Sequence, residues 1–351
     1  MPEVVENIPP RNNTYLLGHE EAEKFLLEAW KNNSLHNSWL FSGIEGIGKA
    51  TLAYKFARFL LSADFNQKDK YQSLDIPETD PVFKLVSNNA HPDFKIIERD
   101  YTDTDKKKLL KAIKDGDQLS ADEMQSLKKS AFIRVDDVRT INEFLSKRSS
   151  QDGWRVVLID SIDDMNTASA NAILKILEEP PFKTVLILIN HNPNRLLTTI
   201  KSRCAKLNLK PLSDQNLASL LRRYRSNLSE NEISGLVKIS SGSIGQALDY
   251  ADHGALERYN ELTDLIQQGS QFKLSKLFAF CDKSVSNEDS YNLSKNLILK
   301  LIRQLITQTG KIEELSEIWN ETLKIFSETE GLNLDKKQAL INIINNLCKR
   351  V

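Results

Sequence analysis

The sequence predicts an α/β domain of three layers around a parallel sheet, followed by chain that is entirely helical. Three observations carry that expectation. A glycine-rich phosphate loop, residues 43–49, lies between a short apolar run and a helical pattern. Near-continuous apolar runs at 156–159 and 185–189 alternate with helical segments, as buried parallel strands do. After Pro211 the strand signals stop. The 351 residues suffice for two or three domains with real cores, and 40% apolar with 27% charged residues is the make-up of a globular protein. The expected division is 1–210 for a nucleotide-binding-like domain, 211–254 for a helical lid and 255–351 for a helical bundle that associates with other chains.

In chain order, 20–32 reads as an amphipathic helix with Ala22, Phe25, Leu26 and Ala29 on one face. Trp39, Leu40 and Phe41 form a strand before the loop. Residues 49–63 then have helical spacing through Leu52, Ala53, Phe56, Ala57 and Leu60. Residues 66–80 read as loop, 94–97 as a strand, and 106–114 and 121–129 as polar helices around Gly116. A helix beginning near Ile133 gathers Val138, Ile141, Phe144 and Leu145. The strand at 156–159 ends on Asp160, a helix over 167–179 stops before Pro180 and Pro181, and 205–209 is a fifth strand. Residues 216–225, 230–240 and 244–253 make a three-helix unit, and longer helical patterns run from Ala255 to the end.

The loop Gly43-Ile44-Glu45-Gly46-Ile47-Gly48-Lys49 fits G-x-x-x-x-G-K, yet Ala50 stands where a Ser or Thr hydroxyl should reach Mg²⁺. Lys49 and the amides of residues 46–50, at a helix N-terminus, suit a phosphate. Thr51 is turned about 100° further around the helix and does not simply replace the missing hydroxyl. Asp160, at the end of an apolar strand, is placed either as the acid for Mg²⁺ or as a turn-capping residue. Ser161 follows where a water-polarising Glu would serve, and Asp163 and Asp164 read as first-turn acids. Arg203 is either an ordinary surface arginine or one presented to a neighbour's nucleotide. His19, His36, His91, His191 and His253 lack metal-ligand spacing, and Cys204, Cys281 and Cys348 are too scattered for a disulfide framework or zinc knuckle. The basic runs at 106–108 and 222–225 read as solvated helix faces. A net charge of -1 gives no global field to hold a nucleic-acid backbone. With no apolar leader and no run of about 20 apolar residues, the expectation is a cytoplasmic protein without a membrane partner.

These segments together resemble the delta-prime family of bacterial DNA polymerase III clamp-loader subunits, in a form found in alphaproteobacteria. The stretches that carry the resemblance are LHNSWLFSGIEGIGKATLAYKFARFLL, HPDFKIIERD, IRVDDVRTINEFLS, GWRVVLIDSIDDMNTASANAILKILEEPP, NPNRLLTTIKSRC and SSGSIGQALDYA, which cover most of residues 16–253. The LEEPP and SRC blocks are specific to AAA+ clamp-loader proteins, whereas the C-terminal bundle resembles the family's collar only in length and helical character. The resemblance implies an AAA+ domain with a lid and a collar, in a pentameric ring with motor (gamma/tau) and delta subunits. The assembled ring places a sliding clamp on primer-template DNA. It implies that Arg203 is the finger offered in trans to a motor subunit's ATP. Gly43, Gly46, Gly48, Lys49, Ala50, Thr51 and Asp160 then form a degenerate nucleotide site. Gly245 falls where an active lid carries its sensor arginine, and Asn190 with His191 replaces the usual sensor pair. Many relatives insert a four-cysteine zinc module after the first loop helix; residues 61–150 here contain no Cys, so zinc is not expected.

Ala50, Ser161 and Gly245 together favour a subunit without intrinsic ATP hydrolysis, in which no cofactor is required and weak ATP or ADP binding by the surviving loop is left open. The alternatives are an active AAA+ motor, which predicts hydrolysis dependent on Lys49, and an independent DNA-binding module, which predicts tight, salt-dependent DNA binding by the isolated chain.

Overall fold

The computed structural model describes residues 8–115, 120, 123–124, 127–150, 152–194, 196–269, 273–309 and 311–350. It divides into two compact units, residues 1–226 with 242–245 and residues 227–241 with 246–351.

The first unit is built on five strands: β1 Ser38–Ser42, β2 Phe94–Glu98, β3 Arg155–Asp160, β4 Thr184–Asn190 and β5 Ala205–Asn208. They lie in the order β2-β3-β4-β1-β5, every pairing parallel. The helices are α1 Glu20–Lys31, α2 Lys49–Ser62, α3 Pro81–Ser87, α4 Asp103–Asp115, α5 Val135–Ser146, α6 Thr167–Glu178, α7 Thr198–Lys201 and α8 Asp214–Tyr224.

Strand periodicity sets the layers. Successive side chains point to opposite faces, so Val156, Leu158, Val185, Ile187 and Ile189 join one core with Trp30, Trp39, Leu52, Phe56 and Phe59. Val157, Ile159, Leu186 and Leu188 join the other, with Val138, Ile141, Ile173 and Ile176. Both faces of the sheet are therefore buried, which is why β3 and β4 read as unbroken apolar runs. At about 25 cal/mol per Å² of apolar surface removed from water, this double burial is the dominant favourable term for the unit. The predicted AAA+-type architecture, a P-loop core with a parallel sheet followed by many helices, is the one observed. Register is also decisive for the site. Pairing Ser42 with Asn190, and Asp160 with Glu98, brings the C-terminal ends of β1, β3 and β4 to one rim, where the loop after β1 emerges.

The expected strands and most helices lie within a residue or two of their predicted bounds. The segment read as loop before Pro81 contains a short 3-10 turn at Phe65–Lys70, and α3 follows it, opened by Asp80 accepting from the Val82 amide at 2.7 Å. Of the expected helix over 121–129, residues 123–124 are helical, 121–122 and 125–126 lie outside the described residues, as does Gly116, and 127–129 are not helical, Lys129 instead making a β-bridge with Tyr101.

The second unit is helical: α9 Glu230–Ser240, then Gln246 onward of α10 Ile244–Asp252, α11 Ala255–Gln267, α12 Leu274–Ser284, α13 Glu288–Thr309, α14 Ile312–Gly331 and α15 Lys336–Arg350. Leu262, Leu277, Leu297, Ile298, Ile318, Leu340 and Ile344 are fully buried among these helices. A buried arginine, Arg258, donates to the Ser290 carbonyl at 3.0 Å and Ser294 Oγ at 3.3 Å, so its charge is hydrogen-bonded as burial requires.

Candidate functional site

The phosphate loop turns from β1 into α2, and Gly48, with φ of 106°, sits at the helix N-cap in a conformation a side chain disfavours. Lys49 is 3% exposed, and its ammonium donates to the Gly43 and Ile44 carbonyls at 2.7 and 2.6 Å. Burial lowers its pKa to about 8, against the attraction of Asp160, Glu45 and Asp163. Ala50 packs its methyl against the core beneath the loop, and Thr51 is buried in α2.

The loop is closed by its own chain. Ser243 Oγ donates to the Glu45 carbonyl at 2.8 Å, and the Gly245 amide donates to the Gly46 carbonyl at 2.9 Å. Neither contact tolerates bulk. A Cβ on Gly46 would stand 2.4 Å from Ser243 Oγ, and one on Gly245 would stand 2.9 Å from Gly46 Cα. Gly245 thus does more than lack an arginine: its bare Cα lets residues 242–245 seat on the loop.

Asp160 ends β3 beside Glu98. Burial, then the Glu98 charge, raises its pKa to about 6, while Lys49 pulls the other way. Ser161 is 2% exposed and donates to Asp164 Oδ2 at 3.2 Å; Arg99 Nε also reaches that carboxylate, at 3.5 Å. The geometry assigns Asp163 a larger part than a first-turn acid. Its carboxylate accepts from Asn190 Nδ2 at 2.9 Å, the His191 amide at 2.5 Å and the Asn192 amide at 3.0 Å, which pins the end of β4 to the turn after β3. His191 Nδ1 is buried without a hydrogen-bond partner among the described residues, and burial followed by the Lys49 charge lowers the imidazole's pKa. A cleft of about 350 Å³ runs along this rim, lined by Glu45, Arg99, Ser161, Asp163, Asp164 and His191 among others.

Arg203 lies apart from the loop, just beyond α7. Its Nη1 donates to the Thr199 carbonyl at 2.8 Å and its Nη2 to Glu178 Oε1 at 2.5 Å. The structure therefore brings Gly43, Gly46, Gly48, Lys49, Ala50, Thr51 and Asp160 to one rim and presents Arg203 at another place on the unit.

Tested against the Mg²⁺ of a bound nucleotide, the residues do not fit. Residue 50 offers no side-chain oxygen, the Ser161 hydroxyl is committed to Asp164, and the Gly46 carbonyl accepts from the Gly245 amide, with residues 243 and 245 packed against Gly46. Among the described residues no group of His, Cys, Asp and Glu is arranged to hold a metal ion, and no helix is long and apolar enough to cross a membrane.

The sheet order, the phosphate loop and the acid-ended third strand define a P-loop protein of the AAA+ class. The chain belongs to the DNA polymerase III delta subunit family, among the clamp-loader proteins: the model of that family, "DNA polymerase III, delta subunit", matches residues 18–213. A delta' subunit of Pseudomonas aeruginosa is 32% identical over 170 residues, 48% of this chain and 42% of that protein. The delta' subunit of Escherichia coli K12 is 27% identical over 223 residues, 64% of this chain and 57% of that protein. The tau/gamma subunit of Haemophilus influenzae is 24% identical over 313 residues, 87% of this chain and 39% of that protein. The chain thus spans about half the length or less of these relatives. A solved gamma subunit-related protein from Thermotoga maritima aligns over 93% of this chain and 99% of its own at 19% identity, with a TM-score of 0.44. Delta' matches extend to Bacillus subtilis, so the kinship is wider than the alphaproteobacterial form.

Proposed function

We propose that this chain is a delta-prime-type clamp-loader subunit that does not itself hydrolyse ATP. It sits in a ring with gamma/tau motor subunits and delta, and it offers Arg203 to the nucleotide of an adjacent motor. Through that ring it helps place a sliding clamp on primed DNA. The observation that supports this reading best is the closed loop. Residues 243–245 cover Gly46, and Lys49 spends its ammonium on the loop's own carbonyls, so the machinery for phosphate is folded inward. Arg203, by contrast, retains an exposed third of its side chain. Stabilising charge in a neighbour's transition state needs only that one guanidinium and a fixed rim to carry it.

The motor reading is favoured by one finding, that gamma and tau/gamma relatives align over 97% and 87% of this chain. Hydrolysis by the isolated chain separates the two. With ATP and Mg²⁺, the proposal expects no phosphate release above buffer; a clear rate that disappears in Lys49→Ala overturns it in favour of the motor.

A further inference from the structure

Arg203 is not poised outward. Its guanidinium is folded back onto its own subunit, with Nη2 on Glu178 Oε1 at 2.5 Å and Nη1 on the Thr199 carbonyl at 2.8 Å. Glu178 is the last residue of α6, where the carbonyl end of the helix dipole disfavours an acid. Glu179 follows as a second acid, and Lys175 is the sole basic residue in that last turn. Helix formation therefore gives no reason for an acid at 178, whereas a cation directly opposite does. The partner is fixed from the far end of the same helix. α6 is capped by Asn166, whose side chain accepts from the Ser169 amide at 2.9 Å, and Ser169 Oγ donates to the Ile133 carbonyl at 2.8 Å. Its 12 residues span about 18 Å from the turn after β3 to the arginine.

We propose that Glu178 is a positioning residue that parks the Arg203 guanidinium on its own subunit, so that the finger must leave this carboxylate before it meets a neighbour's phosphate. The proposal rests on the trans-finger reading above. A carboxylate and a developing phosphoryl charge compete for the same guanidinium N–H groups, and an Nη2 committed to Glu178 does not serve the other. The side chains of Arg203 and Glu178 are 33% and 48% exposed, so water screens the pair. An ion pair of that exposure biases a population by roughly one-and-a-half- to five-fold. The brake is weak enough for a bound neighbour to release.

The test is steady-state ATP hydrolysis, with primed DNA and clamp, by the reconstituted complex carrying Glu178→Gln, Glu178→Lys, Arg203→Ala or Glu178→Gln with Arg203→Ala. Gln keeps the shape and removes the charge; Lys repels the guanidinium and suits a helix C-terminus. The parking account expects both single Glu178 variants to raise the Arg203-dependent part of kcat, the part lost in Arg203→Ala, by roughly one-and-a-half- to five-fold with KM for ATP unchanged, because the arginine acts on the transition state rather than on ground-state binding. It expects Glu178→Gln to have no effect in the Arg203→Ala background. An unchanged or lowered kcat in the single variants, or an equal rise without Arg203, overturns it while leaving the trans-finger reading standing. Unchanged hydrolysis in Arg203→Ala alone overturns both. Gel filtration of each complex checks that assembly is equal, which a purely structural role for Glu178 would alter.

Discussion

Replacing Gly245 by alanine tests the closed loop at its tightest point. The added Cβ would lie 2.9 Å from Gly46 Cα and 3.5 Å from the Gly46 carbonyl oxygen, where ordinary carbon contacts need about 3.5–4.0 Å. Both neighbours are main chain, so no rotamer change relieves the clash. The chain either absorbs the overpacking, at about 1–3 kcal/mol, or withdraws residues 242–245. Withdrawal sacrifices the two hydrogen bonds to Gly46 and Glu45, again about 1–3 kcal/mol together. Only the cheaper route is taken, so the two costs do not add. Against them stands the benefit of alanine at the start of α10, about 0.5–1 kcal/mol from reduced freedom of the unfolded chain. The net expectation is a loss of up to about 2.5 kcal/mol. Gly331→Ala is the control: it too is helical, nothing lies within 4 Å of its Cβ, and it should be neutral or slightly stabilising. Urea denaturation gives the energies, and hydrogen exchange at residue 245 gives the mechanism. That amide lies in the first turn of a helix, where no intrahelical acceptor is available, so its protection reports the bond to Gly46. Wild-type stability within about 0.5 kcal/mol, with protection of that amide retained in the variant, would refute the claim that a bare Cα is required there.

Other outcomes follow from the rim. Asp160→Asn is expected to stabilise the protein at neutral pH: with its carboxyl raised from 3.8 to about 6, ionisation in the folded state costs up to about 3 kcal/mol at pH 7.5. That stability is fully present below pH 3.8 and lost as pH rises through about 6, so the variant's advantage should shrink to roughly half at pH 5; an advantage independent of pH would contradict the assignment. Asp163→Ala should cost about 2–4 kcal/mol, because it orphans three donors, one of them on fully buried Asn190. Asp163→Asn should recover part of that loss, its amide oxygen still accepting two bonds; denaturation midpoints of the three proteins check the order.

The sheet was legible in the sequence because burial on both faces writes itself locally, as the apolar runs of β3 and β4. The loop's missing parts were legible for the same reason: Ala50, Ser161 and Gly245 are each read at a single position of a known spacing. What tertiary proximity creates was not. Ser243 meets Glu45 across 198 residues, and no local pattern shows that a lid segment closes on the loop. Asp163 looks like any first-turn acid until β4 delivers three donors to it. Glu178 and Arg203 lie 25 residues apart, on two elements that meet only once the sheet has formed. The helix α3 was hidden by its brevity: seven residues opened by Asp80 and Pro81 carry too little periodicity to stand out from a loop.

The most direct measurement compares two substitutions confined to this subunit, Arg203→Ala and Lys49→Ala, in DNA-stimulated ATP hydrolysis by the reconstituted clamp-loader complex. The account predicts that losing the arginine abolishes turnover at the one motor site it serves, since such fingers contribute about 10³-fold or more. Losing the lysine should leave the rate of the assembled complex unchanged. A rate that falls with Lys49→Ala and survives Arg203→Ala would contradict it, and would make this chain a motor.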